Sequence, residues 1–127
     1  MNNPEELTYS QKKYLFAIYK LGQSGKDVKS TDVARLVGVS KASTAAMMNR
    51  LIESGYIEKE YYGKIALTEN GVKAAGSIYS NCIVIRDFLE KKLMLDEAKA
   101  DSDAVGMVSH ISEEAVSGLV NFIVKGR

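Results

Sequence analysis

The sequence predicts a mostly α-helical chain with one small two-stranded β-hairpin, organised as two domains. Three observations carry this. Apolar residues recur at helical spacing through most of the chain, punctuated by Ser, Thr and Asp caps and by glycines. The period changes once, between Tyr56 and Leu67, where β-prone residues flank a Gly63-Lys64 turn signal. Beyond that hairpin the helical pattern resumes as one long stripe through Ile78, Cys82, Ile85 and Leu89. The reading divides the chain into domains at residues 1–74 and 75–127.

The first helix is expected to start at Thr8. Thr8-Tyr-Ser-Gln11 has the form of a capping box, in which each side chain satisfies a backbone donor of the other residue. Tyr14, Leu15, Ile18 and Leu21 form its apolar stripe, and Gly22 and Gly25 close it. Pro4 lies in a polar leader expected to be loosely held. Residues 26–29 are expected to form a short link.

Ser30 to Gly55 reads as two short helices joined by a tight turn. Ser30 is the expected first N-cap. Val33, Leu36 and Val37 fall on one face, Gly38 ends the helix, and Val39 is placed to plug the corner. Ser40 caps the second helix, whose buried stripe is Met48, Leu51 and Ile52 and whose end is Gly55. This is the shape of a helix-turn-helix, whose second helix enters the DNA major groove. The hairpin that follows completes a winged helix-turn-helix with a small two-stranded wing.

The outward face of the second helix carries the functional expectation. Ser40, Lys41, Ala42, Ser43, Ala46, Asn49 and Arg50 are small or polar. Small side chains let a helix sit deep between phosphate walls, and Ser, Asn and Lys donate to phosphates or base edges. Lys29, just before the first of the two helices, is a further candidate phosphate contact, and a wing tip carrying Lys64 and two tyrosines, Tyr61 and Tyr62, is expected to touch the backbone beside the groove; the alternative is a hairpin that only covers the core. The competing reading is an amphipathic hairpin with a solvated face, serving as a winged-helix protein–protein interaction module. An exposed apolar patch on this face would favour that alternative.

Charge supports the nucleic-acid reading modestly. Net charge is +1, but residues 1–64 hold ten Lys/Arg against seven Asp/Glu, and residues 65–127 hold seven against nine. The positive surplus therefore accompanies the helix-turn-helix. Apolar content of 46% and charged content of 26% suit a globular chain with a core. No apolar run approaches the ~20 residues needed to span a bilayer. A single cysteine and no visible secretory signal point to a cytoplasmic protein. No enzyme is indicated: one His and one Cys stand far apart in sequence, without a Gly-rich phosphate loop or a paired nucleophile and base.

After the wing, Thr68 is expected to cap a long helix from about Glu69 to Lys92. Asp96 caps a helix through about Ser109. Ser112-Glu113-Glu114 opens the last one, with acidic residues at its positive end. Its apolar face is Val116, Leu119, Val120 and Ile123. Together with the stripe through Ile78, Ile85 and Leu89, this is more apolar surface than so small a region is expected to hide alone. Residues 75–127 are therefore read as a helical dimerisation domain.

The chain resembles the iron- and manganese-dependent repressors of the diphtheria toxin repressor and manganese transport regulator type. The resemblance rests on LTYSQKKYLFAIYKL, on STDVARLVGVSKASTAAMMNRLIESGYIEKEYYGKIALTENG, and on DFLEKKLMLDEA followed by HISEEAVSGL. It covers nearly the whole chain and is similar to the shorter, two-domain branch. It implies a homodimeric transcriptional repressor on a palindromic double-stranded operator, with Mn²⁺ or Fe²⁺ setting the spacing of the DNA-binding heads. The implied metal ligands, however, fall on Lys13, Phe16, Cys82, Val105, Val108 and Ser109. Such residues cannot supply the converging oxygen and imidazole donors these ions require. Cys82, Asp101 and His110 remain as alternative ligands of types that suit zinc. Cys82 lies on the apolar stripe, and a lone His near a helix junction reads as a cap or surface group. No metal cofactor is expected.

Overall fold

A computed structural model describes residues 7–126; the leader with Pro4 lies outside the described residues. The element order is α1 (Tyr9–Gly22), β1 (Val28–Lys29), α2 (Ser30–Val37), α3 (Lys41–Glu53), β2 (Ile57–Lys59), β3 (Lys64–Leu67), α4 (Glu69–Lys91), α5 (Glu97–His110) and α6 (Glu113–Lys125). A single 3₁₀ turn, Tyr61–Gly63, joins β2 to β3. The chain forms two compact units, divided after Gly76, inside α4.

In the first unit the expected cap of α1 is present in both halves. The Gln11 amide donates to Thr8 Oγ1 at 3.1 Å, and the Thr8 amide donates to Gln11 Oε1 at 2.9 Å. Leu15, Ile18, Val33, Met48, Leu51, Ile57 and Ile65 converge in one core, drawn from α1, α2, α3 and both wing strands. At roughly 1.5–3 kcal/mol per large apolar side chain buried, this cluster is the main term holding the helix-turn-helix to its neighbours.

Two local expectations change here. The link before α2 contains a strand: Val28 and Lys29 pair antiparallel with Ile65 and Lys64, giving a three-stranded sheet of order β1-β3-β2 rather than a two-stranded wing. The N-cap of α2 is Lys29, whose amide donates to Asp32 Oδ2 at 3.0 Å, so Ser30 is already the first helical residue. The strand causes the shift, because Lys29 holds extended backbone up to the helix start.

Gly38 ends α2 in the left-handed conformation at φ +82°, its amide donating to Ala34 O at 2.9 Å. Val39 does not plug the corner: it is 38% exposed, and Leu36 is 50% exposed. Ser40 caps α3 as expected, its Oγ accepting from the Ser43 amide at 3.1 Å. Thr68 caps α4 by accepting from the Gly71 amide at 3.1 Å. A Cβ on Gly71 would collide with the carbonyl of Tyr56, so only glycine lets α4 start this close to the end of the helix-turn-helix.

In the second unit, Asp96 and Ser112 cap α5 and α6 by accepting from Lys99 N–H at 2.8 Å and Ala115 N–H at 3.1 Å. Ile78, Cys82, Ile85 and Leu89 of α4 are buried, as are Ala100, Ala104 and Val108 of α5 and Val116 and Ile123 of α6. This corrects the expected partner face: the α4 stripe and Val116 are already covered within one chain. The apolar side chains left exposed are others, notably Leu93, Met94, Phe122 and Val124. Phe122 borders a surface groove of about 430 Å³ lined also by Phe88, Lys91 and Lys92. Among the described residues no helix is long and apolar enough to cross a membrane.

Candidate nucleic-acid interface

The site is built on α3, 13 residues long and so about 20 Å in length. One face is anchored, with Thr44 and Leu51 fully buried and Met48 nearly so. That anchoring fixes the rotation of the helix about its axis. The opposite face then presents Lys41, Ala42, Ser43, Ala45, Ala46, Asn49 and Arg50, all exposed. Ser40 Oγ also donates to Ser43 Oγ at 3.1 Å, which orients both hydroxyls at the N-terminal end.

The alanines keep this face thin, and an α-helix of about 10–12 Å diameter matches a major groove about 12 Å wide. Among the described residues no carboxylate forms an ion pair with Lys41 or Arg50. Their charges are therefore available to an external anion. The helix-turn-helix corner adds Leu36 and Val39, exposed apolar groups that periodicity had assigned to the inside.

The wing departs from expectation in a specific way. Lys64 is not at the turn tip; it opens β3 and stands opposite Lys29 in the β1–β3 register. Its ammonium lies 3.4 Å from Asp27 Oδ1 and 3.7 Å from Glu60 Oε1, so local carboxylates already meet its charge. The tip is Tyr61-Tyr62-Gly63, and Lys59 is an exposed cation of β2 to which no ion pair forms among the described residues. Sequence reading missed Lys59. Its signal was the Glu58-Lys59-Glu60 run in a short strand, where a solvated charge is the ordinary outcome.

The residues at the implied metal positions do not fit Mn²⁺ or Fe²⁺. Lys13 places its ammonium 5.5 Å from the Tyr9 ring centroid, and buried Phe16 lies under the Lys20 ammonium at 5.5 Å. Val105 and Val108 carry no donor atom. Ser109 is buried, and its hydroxyl finds no hydrogen-bond partner among the described residues, but a neutral hydroxyl is a poor substitute for a carboxylate or imidazole. The alternative trio is not brought together. Cys82 is buried, His110 is exposed, and Asp101 lies about 13 Å from His110 along α5 and faces Arg86 at 3.7 Å. Among the described residues no group of three His, Cys, Asp or Glu side chains is placed to hold a metal.

The N-terminal DNA-binding domain of the iron-dependent repressors matches residues 6–65. An uncharacterized HTH-type transcriptional regulator of Methanocaldococcus jannaschii is 30% identical over 117 residues, covering 92% of this chain and 90% of that protein. The transcriptional regulator MntR of Escherichia coli is 30% identical over 112 residues, covering 88% of this chain and 72% of that protein. Among solved structures, the manganese regulator SloR superposes with a TM-score of 0.74 at 23% identity, over 89% of this chain and 53% of that one. A hypothetical protein from Sulfolobus solfataricus superposes with a TM-score of 0.65 at 23% identity, over 94% of this chain and 91% of that one. The chain thus spans about half the length of the SloR chain and nearly all of the archaeal proteins. These structural likenesses bear on the fold, which they share.

Proposed function

Because the chain belongs to the iron-dependent repressor family of HTH-type transcriptional regulators, we propose that it is a sequence-specific repressor acting as a cytoplasmic homodimer on a palindromic operator, with control by Mn²⁺ or Fe²⁺ lost. The single observation that carries the DNA reading is the exposed face of α3, where, among the described residues, no carboxylate pairs with Lys41 or Arg50 beside Ser43 and Asn49. Residues 1–74 serve as the DNA-binding head and residues 75–127 as the dimerisation region. In the bound state, Lys29, Lys41 and Arg50 engage phosphates. Ser40, Ser43 and Asn49 reach phosphates or base edges, and Ala42 and Ala46 permit the close approach. Lys64, whose ammonium already faces Asp27 and Glu60, is given no phosphate contact of its own.

The metal reading rests on chemistry. A metal shifts an equilibrium only by binding one conformation more tightly than another, and that requires a first shell of donors. The side chains present at the family positions do not form one. One observation favours the competing protein-interaction reading: Leu36 and Val39 are exposed at the helix-turn-helix corner. They lie at the turn and at the end of α2, not among the exposed residues of α3, so they do not displace the DNA reading. The test is selection of duplexes from a random pool by the purified protein, followed by footprinting. A two-fold symmetric protected site supports the proposal. Failure to enrich any duplex, with retention of a protein partner through the Leu36–Val39 corner, would establish the alternative.

A further inference from the structure

Tyr61 and Tyr62 are 89% and 94% exposed, the most exposed large apolar side chains among the described residues. Tyr62 also holds φ +60°, ψ 25°, a left-handed conformation unusual for a residue with a Cβ. Glycine or asparagine would take that conformation more readily. Neither ring packs on the core: the two lie beside each other, 6.5 Å between centroids and tilted by 50°. The free protein therefore carries conformational strain at Tyr62 and two solvated rings without a packing return.

The turn beneath them is held firmly. The Glu60 amide donates to Lys64 O at 2.7 Å, and Lys64 bridges Glu60 and Asp27, tying the turn to the segment before β1. That engagement is exposed and weak, but it makes Lys64 the less available of the wing's two cations. Beside the rings, Lys59 is exposed, and no carboxylate pairs with it among the described residues. The wing tip thus offers two rigid amphipathic rings next to one available cation, on the same compact unit as α3.

We infer that the Tyr61-Tyr62 pair, rather than Lys64, is the wing's contact with duplex DNA. The rings pack on deoxyribose faces, and their phenol hydroxyls donate to phosphate oxygens beside the groove that α3 enters. This inference rests on the DNA-binding reading. It specifies a contact that is mainly non-ionic. Aromatic rings contribute through area and geometry, not counterion release, so loss of a ring changes affinity without changing its salt dependence.

The experiment compares wild type, Tyr62→Gly, Tyr62→Asn and Lys64→Met on a duplex enriched by the wild-type protein from a random pool, across a range of salt concentrations. Both Tyr62 variants suit the left-handed backbone, so melting temperature is expected to hold or rise. Affinity is expected to fall about five- to tenfold with an unchanged salt slope. Lys64→Met is expected to stay within about twofold of wild type in affinity, again at unchanged slope. Tyr62 variants that bind the enriched duplex like wild type overturn the inference while leaving the DNA reading intact. So does a Lys64→Met variant whose slope drops by about one. Tyr62 variants that alter the sedimenting species while DNA affinity is unchanged assign the pair to a protein contact, which also overturns it. If the wild type enriches no duplex, the DNA reading itself fails and the inference falls with it.

Discussion

The hydroxyl of Thr68 donates to the carbonyl oxygen of Gly55 at 2.6 Å, joining the start of α4 to the end of the helix-turn-helix. Thr68 Oγ1 also accepts from the Gly71 amide, so one side chain both caps a helix and ties down the segment behind α3. Thr68→Val keeps the shape and removes both bonds. It is expected to destabilise the protein by about 1–3 kcal/mol, the cost of losing a cap and leaving a partly buried carbonyl unpaired. Thr68→Ser should retain most of the stability. Urea denaturation of the three proteins checks this, and equal midpoints for Thr68→Val and wild type would remove the role.

The exposed face of α3 leads to a second expectation. Lys41→Ala and Arg50→Ala should each weaken binding to the enriched duplex and lower the salt slope by about one. Both positions are exposed and, among the described residues, no carboxylate pairs with either, so neither change should move the melting temperature appreciably. Titrations at several salt concentrations read both quantities. Unchanged affinity and slope in both variants would place the DNA face elsewhere.

For the metal, calorimetric titration of chelator-treated protein with Mn²⁺ is expected to show no stoichiometric binding, and operator affinity should be the same with and without chelator. The cause is the set of side chains at the family positions: two valines, a phenylalanine under Lys20 and a lysine over Tyr9. Micromolar binding at one ion per chain, or DNA release by chelator, would contradict the proposed loss of metal control.

Assembly is expected to involve the exposed apolar side chains of the second unit. Phe122 is 74% exposed beside the Phe88 groove, and Val124 is half exposed on the same helix. Phe122→Asp should therefore shift a dimer toward monomer at tens of micromolar, read by sedimentation, while Ile85→Val, fully buried within one chain, should lower stability instead. In the dimer the two α3 helices are expected about 34 Å apart, or a multiple of it, which half-site spacing in the footprint would report. A wild-type protein that sediments as a monomer at these concentrations would defeat the expectation.

What was legible in the sequence was what local chemistry decides. The Thr8–Gln11 box, the Ser40, Asp96 and Ser112 caps and the Gly38 stop each depend on a few neighbouring residues, and each is found. The buried stripe of α3 followed from periodicity, and with it the outward position of Lys41, Asn49 and Arg50. What failed depends on distant partners. Two residues, Val28 and Lys29, become a strand only because β3 returns beside them. Lys64 looked available until Asp27 and Glu60 were brought to it. The α4 stripe looked like a partner face because burial depends on packing that local pattern does not specify.

The β1–β3 pairing has a further consequence, for the order in which the head forms. It joins Val28 to Ile65 across all of α2 and α3, so a long loop must close before either strand gains its ladder bonds. The helices need only local contacts and can form first; long-range strand pairing is slow because its entropy cost comes before its reward. With only two residues in β1, the ladder returns little for that cost. The strand amides are therefore expected to exchange with solvent faster than those in the α1 and α3 interior, which native-state hydrogen exchange would read.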